Sequence, residues 1–104
     1  MLTVHVQFQL PQPISLEEAQ KIMTGTAPNY QGIEGLIRKY YLLAEDGATA
    51  GGIYLWESRA QAEVFYNADW EKHIMDKYGA APFVTYFETP VIVDNITGEL
   101  IEGS

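Results

Sequence analysis

The chain has 104 residues, 47% of them hydrophobic and 12% aromatic, which predicts one folded domain over residues 1–104 rather than a disordered chain. Fourteen acidic against six basic residues give a formal net charge of −8, which disfavours nucleic acid and anionic membranes because both bind basic surfaces. The absence of cysteine excludes disulfides, thiolate metal ligands and a cysteine nucleophile. No signal-peptide pattern opens the sequence and no stretch is long enough to span a membrane, so we expect a cytoplasmic protein.

The first part of the sequence predicts a strand and a helix. Apolar and polar residues alternate from Leu2 to Leu10, as in a strand with one buried face. Ser15 and Glu18 form a capping box that starts a helix, and Gly25 is expected to end it. The predicted buried stripe of this helix comprises Leu16, Ala19, Ile22 and Met23.

A β-hairpin is predicted next. Its strands are Leu36–Leu43 and Gly51–Trp56, and the connection Glu45–Ala48 carries an Asp-Gly turn signal. The two glycines that open the second strand leave room for a close backbone approach. Arg38 and Lys39 are neighbours on the first strand, so they are expected to face opposite sides of the sheet.

Two helical segments follow the hairpin. Ser58 and Gln61 form a second capping box, which predicts a helix from this point. The sequence Asn-Ala-Asp at 67–69 is expected to interrupt it, with Asp69 capping a second segment. That segment is predicted over Trp70–Tyr78, and Gly79 is expected to close it.

The last part of the sequence predicts a strand over Phe83–Glu88 and, beyond Pro90, a short separate strand over Val91–Val93, followed by a turn at Asn95–Gly98. The element order is then βαββαβ, which predicts a ferredoxin-like α+β plait with helices on one face of a four-stranded antiparallel sheet. The helix-free face would carry apolar and aromatic groups. We therefore expect a homodimer formed through the sheet faces, with the C-terminal strand added to the partner's sheet.

No metal, nucleotide or nucleophile motif is present in the sequence. His5 and His73 lie on different elements, without the spacing of a metal site. Gly51 and Gly52 precede a strand, which is the wrong context for a dinucleotide fingerprint. We therefore expect neither a metal nor a cofactor.

The candidate site is an aromatic cluster with a few polar groups. Tyr66, Trp70 and His73 have the i, i+4, i+7 spacing of one helix side, and a histidine beside aromatic walls can take a proton from a phenol. Alternatively, the two aromatic residues are core and the histidine lies at an exposed helix edge. Either Arg38 or Lys39 could stabilise the resulting oxyanion, or form only an ion pair. Further candidate ligand contacts are Trp56 and Tyr86.

Ala50–Trp56, preceded by Gly35–Tyr41, is similar to the corresponding run of the YdhR-type mono-oxygenase family, and the likeness extends from the first strand to about Asn95. This family belongs with the dimeric α+β barrel proteins, among them the antibiotic-biosynthesis mono-oxygenases. The resemblance implies the same plait, dimerised through its sheets. It also implies oxidation of polycyclic phenols by O₂ without metal or flavin, although other relatives degrade haem, isomerise lactones or only bind ligands.

The resemblance also suggests roles for individual residues. Phenol-oxidising relatives use Asn, Trp, Tyr and Arg around the cavity, and Asn67, Trp70, Tyr66 and Arg38 are residues of the same types. Haem-degrading relatives pair a helix histidine with a tryptophan, as His73 and Trp70 could. They also need a first-strand asparagine, whereas this chain has glutamine at positions 7 and 9, which lowers the case for haem degradation.

Two functions are therefore expected. The first is a cofactor-independent mono-oxygenase for a small aromatic or polyketide-like phenol, with His73 as the base, Arg38 as the anion stabiliser, and Tyr66 and Trp70 as stacking walls. The second is a non-catalytic dimeric barrel that binds a small aromatic molecule.

Overall fold

The computed structural model describes residues 1–103. The elements, in chain order, are β1 (Leu2–Gln9), α1 (Leu16–Thr26), a 3₁₀ turn (Ala27–Tyr30), β2 (Leu36–Leu43), β3 (Thr49–Trp56), α2 (Arg59–Phe65), α3 (Ala68–Tyr78), β4 (Phe83–Glu88), β5 (Val91–Asp94) and β6 (Glu99–Glu102). No helix within residues 1–103 is long and apolar enough to cross a membrane.

The main sheet has the strand order β2-β3-β1-β4, with every neighbouring pair antiparallel. The predicted ferredoxin-like plait is confirmed, because the first and third strands are central and the helices follow β1 and β3. Val6 lies opposite Gly52 on one side and Val84 on the other, which sets the register of the three strands. Side chains of the three therefore alternate together between the two faces.

One sheet face packs against the helices and holds the core. The core residues that are buried together are Leu2, Val4, Val6, Tyr54, Trp56 and Ala62. The large apolar and aromatic residues that the register places on the other face, here called the open sheet face, are Tyr40, Leu42, Ile53, Leu55, Phe83 and Phe87. Phe83 is 71% exposed and Tyr40 52%, so this face presents aromatic surface to solvent in the single chain.

The start of β2 is irregular. Leu36 lies opposite Trp56, whereas Arg38 lies opposite Leu55, because the register shifts between Leu36 and Arg38. Such a bulge places two residues that are two positions apart on opposite faces. Beyond it, Lys39 lies opposite Tyr54 and shares the helix-covered face.

The predicted helix starts at Ser15 and Ser58 are confirmed, each through the serine half of the capping box. The hydroxyl of Ser15 accepts a hydrogen bond from the Glu18 amide at 3.1 Å, and the hydroxyl of Ser58 accepts one from the Gln61 amide at 3.3 Å. The helix break is also present, but its cap is Asn67 rather than Asp69. Oδ1 of Asn67 accepts from the Trp70 amide at 2.9 Å, so α3 begins at position 68.

Helix α1 differs from the prediction at its end and on its surface. It continues past Gly25 to Thr26 and leads directly into the 3₁₀ turn. In the predicted buried stripe only Ala19 is buried, whereas Leu16 and Ile22 are exposed. Ile22 and Met23 line a cavity between this helix and the sheet, whereas Leu16 lies outside it.

The C-terminal segment forms a hairpin. β5, the predicted short strand, pairs with β6, which the sequence did not predict, and Val91 lies opposite Glu102. Both strands expose apolar side chains, among them Val93 and Leu100. The hairpin forms a sheet separate from the main one, and the addition of β5 to a partner's sheet stays a prediction.

Candidate functional site

A cavity of about 390 Å³ lies on the helix-covered face, between the sheet and helices α1 and α3. Phe8 of β1, Tyr54 of β3 and Trp70 of α3 contribute aromatic walls. The polar side chains at its surface include Lys39 and His73. Within residues 1–103, the lining holds no aspartate or glutamate, although the chain has 14 acidic residues. The cavity therefore has the opposite charge character to the molecule as a whole.

Lys39 lies among three tyrosine rings. Its Nζ is 3.3 Å from the ring centroid of Tyr30, 3.8 Å from that of Tyr41 and 4.7 Å from that of Tyr54. We call these three residues the tyrosine cage. Each distance is within cation–π range, so the rings attract the ammonium group and hold it in one position.

The cage is held together by the end of α1. The hydroxyl of Thr26 donates to the Met23 carbonyl at 3.1 Å, and its oxygen lies 2.8 Å from the Tyr41 hydroxyl. Because the single Thr26 proton is already used, the Tyr41 hydroxyl is the donor in that second bond. Tyr30 comes from the 3₁₀ turn and meets the Tyr41 ring edge-on at 6.0 Å between centroids. The unpredicted extension of α1 to Thr26 thus positions one wall of the cage.

Burial changes the acid–base properties of the cage. It lowers the pKa of Lys39 from 10.5 to about 7, because the charged form loses hydration. It raises the pKa of Tyr30 and that of Tyr54 for the corresponding reason, so both phenols stay protonated at neutral pH. Lys39, which the cage surrounds, is consequently the group that changes its charge near neutral pH.

Lys39 has no anionic partner. Its Nζ forms no hydrogen bond or ion pair with any residue of the described range 1–103, and burial is the one cause of its altered pKa. The ring faces attract its charge but offer no conventional acceptor for its three N–H groups. The ammonium group is therefore available to an acceptor in the cavity.

Two of the sequence-predicted site residues line the cavity. Trp70 and His73 both project from α3 towards it, as the helical spacing suggested. His73 is exposed, so it stands where the cavity meets solvent, and Trp70 is half-buried deeper on the same helix.

Tyr66 and Trp56 are part of the core beside the cavity. Trp56 is fully buried, and its Nε1 donates to the Tyr66 hydroxyl at 3.1 Å. Tyr66 ends α2 rather than continuing into α3, so it does not line the cavity with His73. Its ring meets Trp70 edge-on at 4.9 Å between centroids. Both residues therefore support the cavity wall from behind.

Asn67 and Tyr86 also lie outside the cavity lining. The side chain of Asn67 is engaged at the α2–α3 break, where it accepts from the Trp70 amide and donates from Nδ2 to the Val64 carbonyl at 3.1 Å. Tyr86 is half-buried, with the Arg59 guanidinium 5.1 Å from its ring centroid. Their positions indicate roles in helix capping and packing.

Arg38 lies on the open sheet face and is not brought together with His73. Its Nη1 donates to the Tyr40 hydroxyl at 3.2 Å. This hydrogen bond raises the pKa of Arg38, with a smaller contribution from the Asp94 carboxylate. Within one chain the sheet separates its guanidinium from the cavity, so Lys39 is the strand cation that faces a ligand there.

The tyrosine cage is the part of the site that the sequence did not single out, and Lys39 was named there only as the alternative to Arg38. Lys39 and Tyr41 alternate on β2 as residues of one face, and Tyr54 follows on β3. The alternation places Lys39 and Tyr41 on one face of β2, but it does not show which face the helices cover. No group of three or more His, Cys, Asp or Glu residues within residues 1–103 is arranged to hold a metal ion.

Comparison with known proteins identifies one matching family and solved structures with a similar fold. The family described as "Putative mono-oxygenase ydhR" matches residues 1–85. A monooxygenase from the gene ActVA-Orf6 of Streptomyces coelicolor, solved with the ligand nanaomycin D, is similar in structure with a TM-score of 0.60 and 17% identity, over 83% of this chain and 84% of that one.

The NE2512 protein of unknown function from Nitrosomonas europaea is similar with a TM-score of 0.63 and 14% identity, over 85% of this chain and 87% of that one. At such identities both likenesses establish a shared fold. A search among curated proteins finds no match.

Proposed function

The chain belongs to the family described as "Putative mono-oxygenase ydhR", and from this premise we propose that it oxidises a small aromatic or polyketide-like phenol with O₂, without a cofactor. The observation that carries the proposal is the cavity of about 390 Å³, which has aromatic walls and a histidine at its mouth. Its volume lies at the lower end of the range of small-molecule pockets. One ligand of a few fused rings is the size that fits.

The proposed reaction begins with proton removal. His73 takes a proton from the phenol, or from a ring methylene that the phenol activates, because neutral imidazole is a base near neutral pH. The electron-rich anion then reduces O₂ itself. For a ring methylene the balance is CH₂ + O₂ → C=O + H₂O, so one oxygen atom enters the product, the other becomes water, and no external reductant is consumed.

The cavity residues have complementary roles in this proposal. Trp70 and Tyr54 provide apolar ring surface against which an aromatic substrate packs, and they exclude water from the anion. Arg38 lies behind the sheet, so the anion-stabilising role expected for it has no support within one chain. The neighbouring structure from Streptomyces coelicolor, solved with a small-molecule ligand, supports ligand binding by this fold.

Oxygen uptake tests the proposed function. Metal-free protein is mixed with anthrone and a panel of hydroquinones, and O₂ consumption is followed with an electrode. We expect uptake above buffer, incorporation of one ¹⁸O atom from ¹⁸O₂ into the product, and a rate about 10²- to 10⁴-fold lower for His73→Gln.

The matched control is Lys72→Gln, which changes the preceding, exposed residue of α3 and should leave the rate unchanged. Uptake no greater than buffer across the whole panel contradicts the proposed mono-oxygenase chemistry.

Ligand binding without catalysis is the second candidate function. One observation favours it: within residues 1–103 His73 has no hydrogen-bond or ion-pair partner that would orient its ring, whereas catalytic bases are usually oriented by a third group. His73→Ala separates the two functions. Unchanged ligand affinity with no turnover in either protein indicates a binding protein, whereas loss of turnover with retained affinity indicates a base.

A homodimer is the assembly proposed for this chain. The open sheet face carries apolar or aromatic residues from β2, β3 and β4, and leaving them in water forfeits about 25 cal/mol per Å² of apolar area. A second copy presents the same face, so a two-fold axis would pack sheet against sheet. This is the dimeric α+β barrel that the resemblance implies.

The C-terminal hairpin has a place in the proposed dimer. A two-stranded hairpin alone is marginally stable in water, and this one exposes Val91, Val93 and Leu100. Addition of β5 to the sheet edge of the second copy would cover part of this apolar surface and pair its free backbone edge. The cytoplasmic location stays a prediction from the sequence.

A further inference from the structure

We propose that the cavity is selective for an aromatic ligand that carries an oxyanion on its ring, and that Nζ of Lys39 is the group that contacts this oxyanion. The inference rests on the proposed function for the reaction that follows, since it names an ionised phenol or an aromatic carboxylate as the ligand class. Binding itself requires no turnover, so it can be tested separately.

The position of Nζ is the first support. Three rings surround it at 3.3, 3.8 and 4.7 Å from their centroids, so the ammonium group has little freedom to leave the cage. Gly52 preserves the space beside it: a β-carbon there would lie 3.2 Å from Cε of Lys39 and 3.2 Å from Cε1 of Tyr54. A fixed cation loses little conformational entropy when a ligand binds, which favours recognition.

The unsatisfied hydrogen-bonding capacity of Lys39 is the second support. An ammonium group has three donors, and no residue within the described part of the chain accepts from this one. The tyrosine cage attracts its charge through the ring faces without using these donors. A ligand oxygen in the cavity would therefore form a charge-assisted hydrogen bond without displacing a protein partner.

The charge distribution around the cavity is the third support. Lys39, His73 and Lys77 line it and, among residues 1–103, no acidic side chain does, in a chain with a formal charge of −8. A carboxylate in the lining would compete with an anionic ligand for Lys39 and repel it. The absence of acidic groups from this lining favours an anion over a neutral or cationic ligand of the same shape.

Two pairs of ring compounds test the proposal by isothermal titration calorimetry at about pH 6, where Lys39, with a pKa of about 7, is mostly protonated. The first pair is 2-naphthoate and neutral 2-naphthamide; the second is 2,4-dinitrophenolate and neutral 2,4-dinitroanisole. We expect at least one anion to bind about ten- to a hundredfold more tightly than its neutral counterpart, as one charge-assisted hydrogen bond predicts.

Lys39→Met should abolish this preference while the neutral member binds with unchanged affinity, which also shows that the variant cavity is folded. Lys39→Arg should retain part of the preference. Lys72→Met removes the same charge from the outer face of α3 and should behave like the native protein, since Lys72 pairs with Asp76 at 3.8 Å and does not line the cavity.

Equal binding of anions and neutral compounds by the native protein would overturn the proposal, as would an unchanged preference in Lys39→Met. No binding of any of the four compounds at millimolar concentration would also overturn it. Selective binding without oxygen uptake would instead leave this proposal standing and refute the mono-oxygenase, whereas oxygen uptake by a native protein that binds the anions and their neutral counterparts equally would do the opposite.

Discussion

Lys39 lies where it can contact a ligand, but its burial lowers the stability of the folded protein. The unfolded chain keeps the lysine fully hydrated, whereas the native cage removes part of that hydration and lowers its pKa from 10.5 to about 7. The three rings recover some of the lost interaction energy through cation–π contacts. The residue is therefore maintained at some expense of stability, as functional residues often are.

We predict that Lys39→Met stabilises the protein near neutral pH. Between about pH 7 and 10.5 the unfolded chain binds more protons at this residue than the folded chain does, so the native protein gains stability as pH rises through that window. The variant lacks this dependence. The difference in unfolding free energy between Lys39→Met and the native protein should be largest below pH 7 and vanish above 10.5. Each kcal/mol of this difference raises the melting temperature by about 4 to 8 °C.

Thermal unfolding at several pH values measures this effect. Lys72→Met, at an exposed position, should depend on pH between about 7 and 10.5 as the native protein does. A variant that is less stable than the native protein at every pH would mean that the cation–π contacts outweigh the loss of hydration.

The sequence predicted that Arg38 and Lys39 face opposite sides of the sheet, but not which of them faces the cavity. Simple alternation from Leu36, which packs against the core, would place Arg38 on the helix-covered face. The bulge between Leu36 and Arg38 reverses this assignment. A bulge depends on how β2 pairs with β3, and no residue within β2 signals it by itself.

At the scale of elements, β1 and β3 approach so closely that only glycine fits at one position. A β-carbon on Gly51 would lie 1.9 Å from the Val6 carbonyl oxygen, a backbone atom that cannot move without disturbing the ladder. On α1, by contrast, a β-carbon on Gly25 would meet nothing within 4 Å.

We predict opposite effects for alanine at these two glycines. Gly51→Ala should destabilise the protein by about 2 to 4 kcal/mol, because the backbones of β1 and β3 must separate. Gly25→Ala should stabilise it by about 0.5 to 1 kcal/mol, because glycine weakens a helix interior. Urea unfolding of both variants measures the two changes, and equal stability of Gly51→Ala and native protein would contradict the close approach.

The elements that the sequence predicted correctly are those with local signals. The hydroxyls of Ser15 and Ser58 cap the helices that follow them, and capping depends on residues within one turn. The end of α1 was predicted wrongly because a glycine does not by itself terminate a helix, and Thr26 is held by its bonds to Met23 and Tyr41. Strand β6 was missed because its four residues are too few for a periodic pattern, and they form a strand by pairing with β5.

For the whole molecule, the sequence predicted the topology, since the order of elements and right-handed crossovers leave few arrangements of a four-stranded sheet. The cavity could not be predicted in the same way. Its existence depends on how far α1 lies from the sheet, which a stripe of apolar residues such as Ile22 does not reveal. Only the structure distinguishes a half-covered stripe from a core.

The open sheet face leads to the prediction for assembly. We expect the protein to sediment at micromolar concentration with twice the mass of one chain. Phe83→Asp should shift it to the monomer, because Phe83 is 71% exposed on the open sheet face and a buried charge there would be unpaired.

Leu16→Asp is the matched control, since Leu16 is 74% exposed on α1, on the other side of the molecule. A native protein that sediments as a stable monomer would contradict the barrel, and removal of residues 91–104 should weaken the dimer if β5 joins the second copy.

The exposure of His73 bears on how the base would be restored between reaction cycles. A base buried deep in a cavity needs a chain of waters or side chains to deliver its proton to bulk solvent. His73 stands on α3 where the cavity opens, so its imidazolium form is in direct contact with bulk water. A proton that His73 takes from a ligand in the proposed reaction would therefore pass from the imidazolium directly to bulk water, without an internal proton relay.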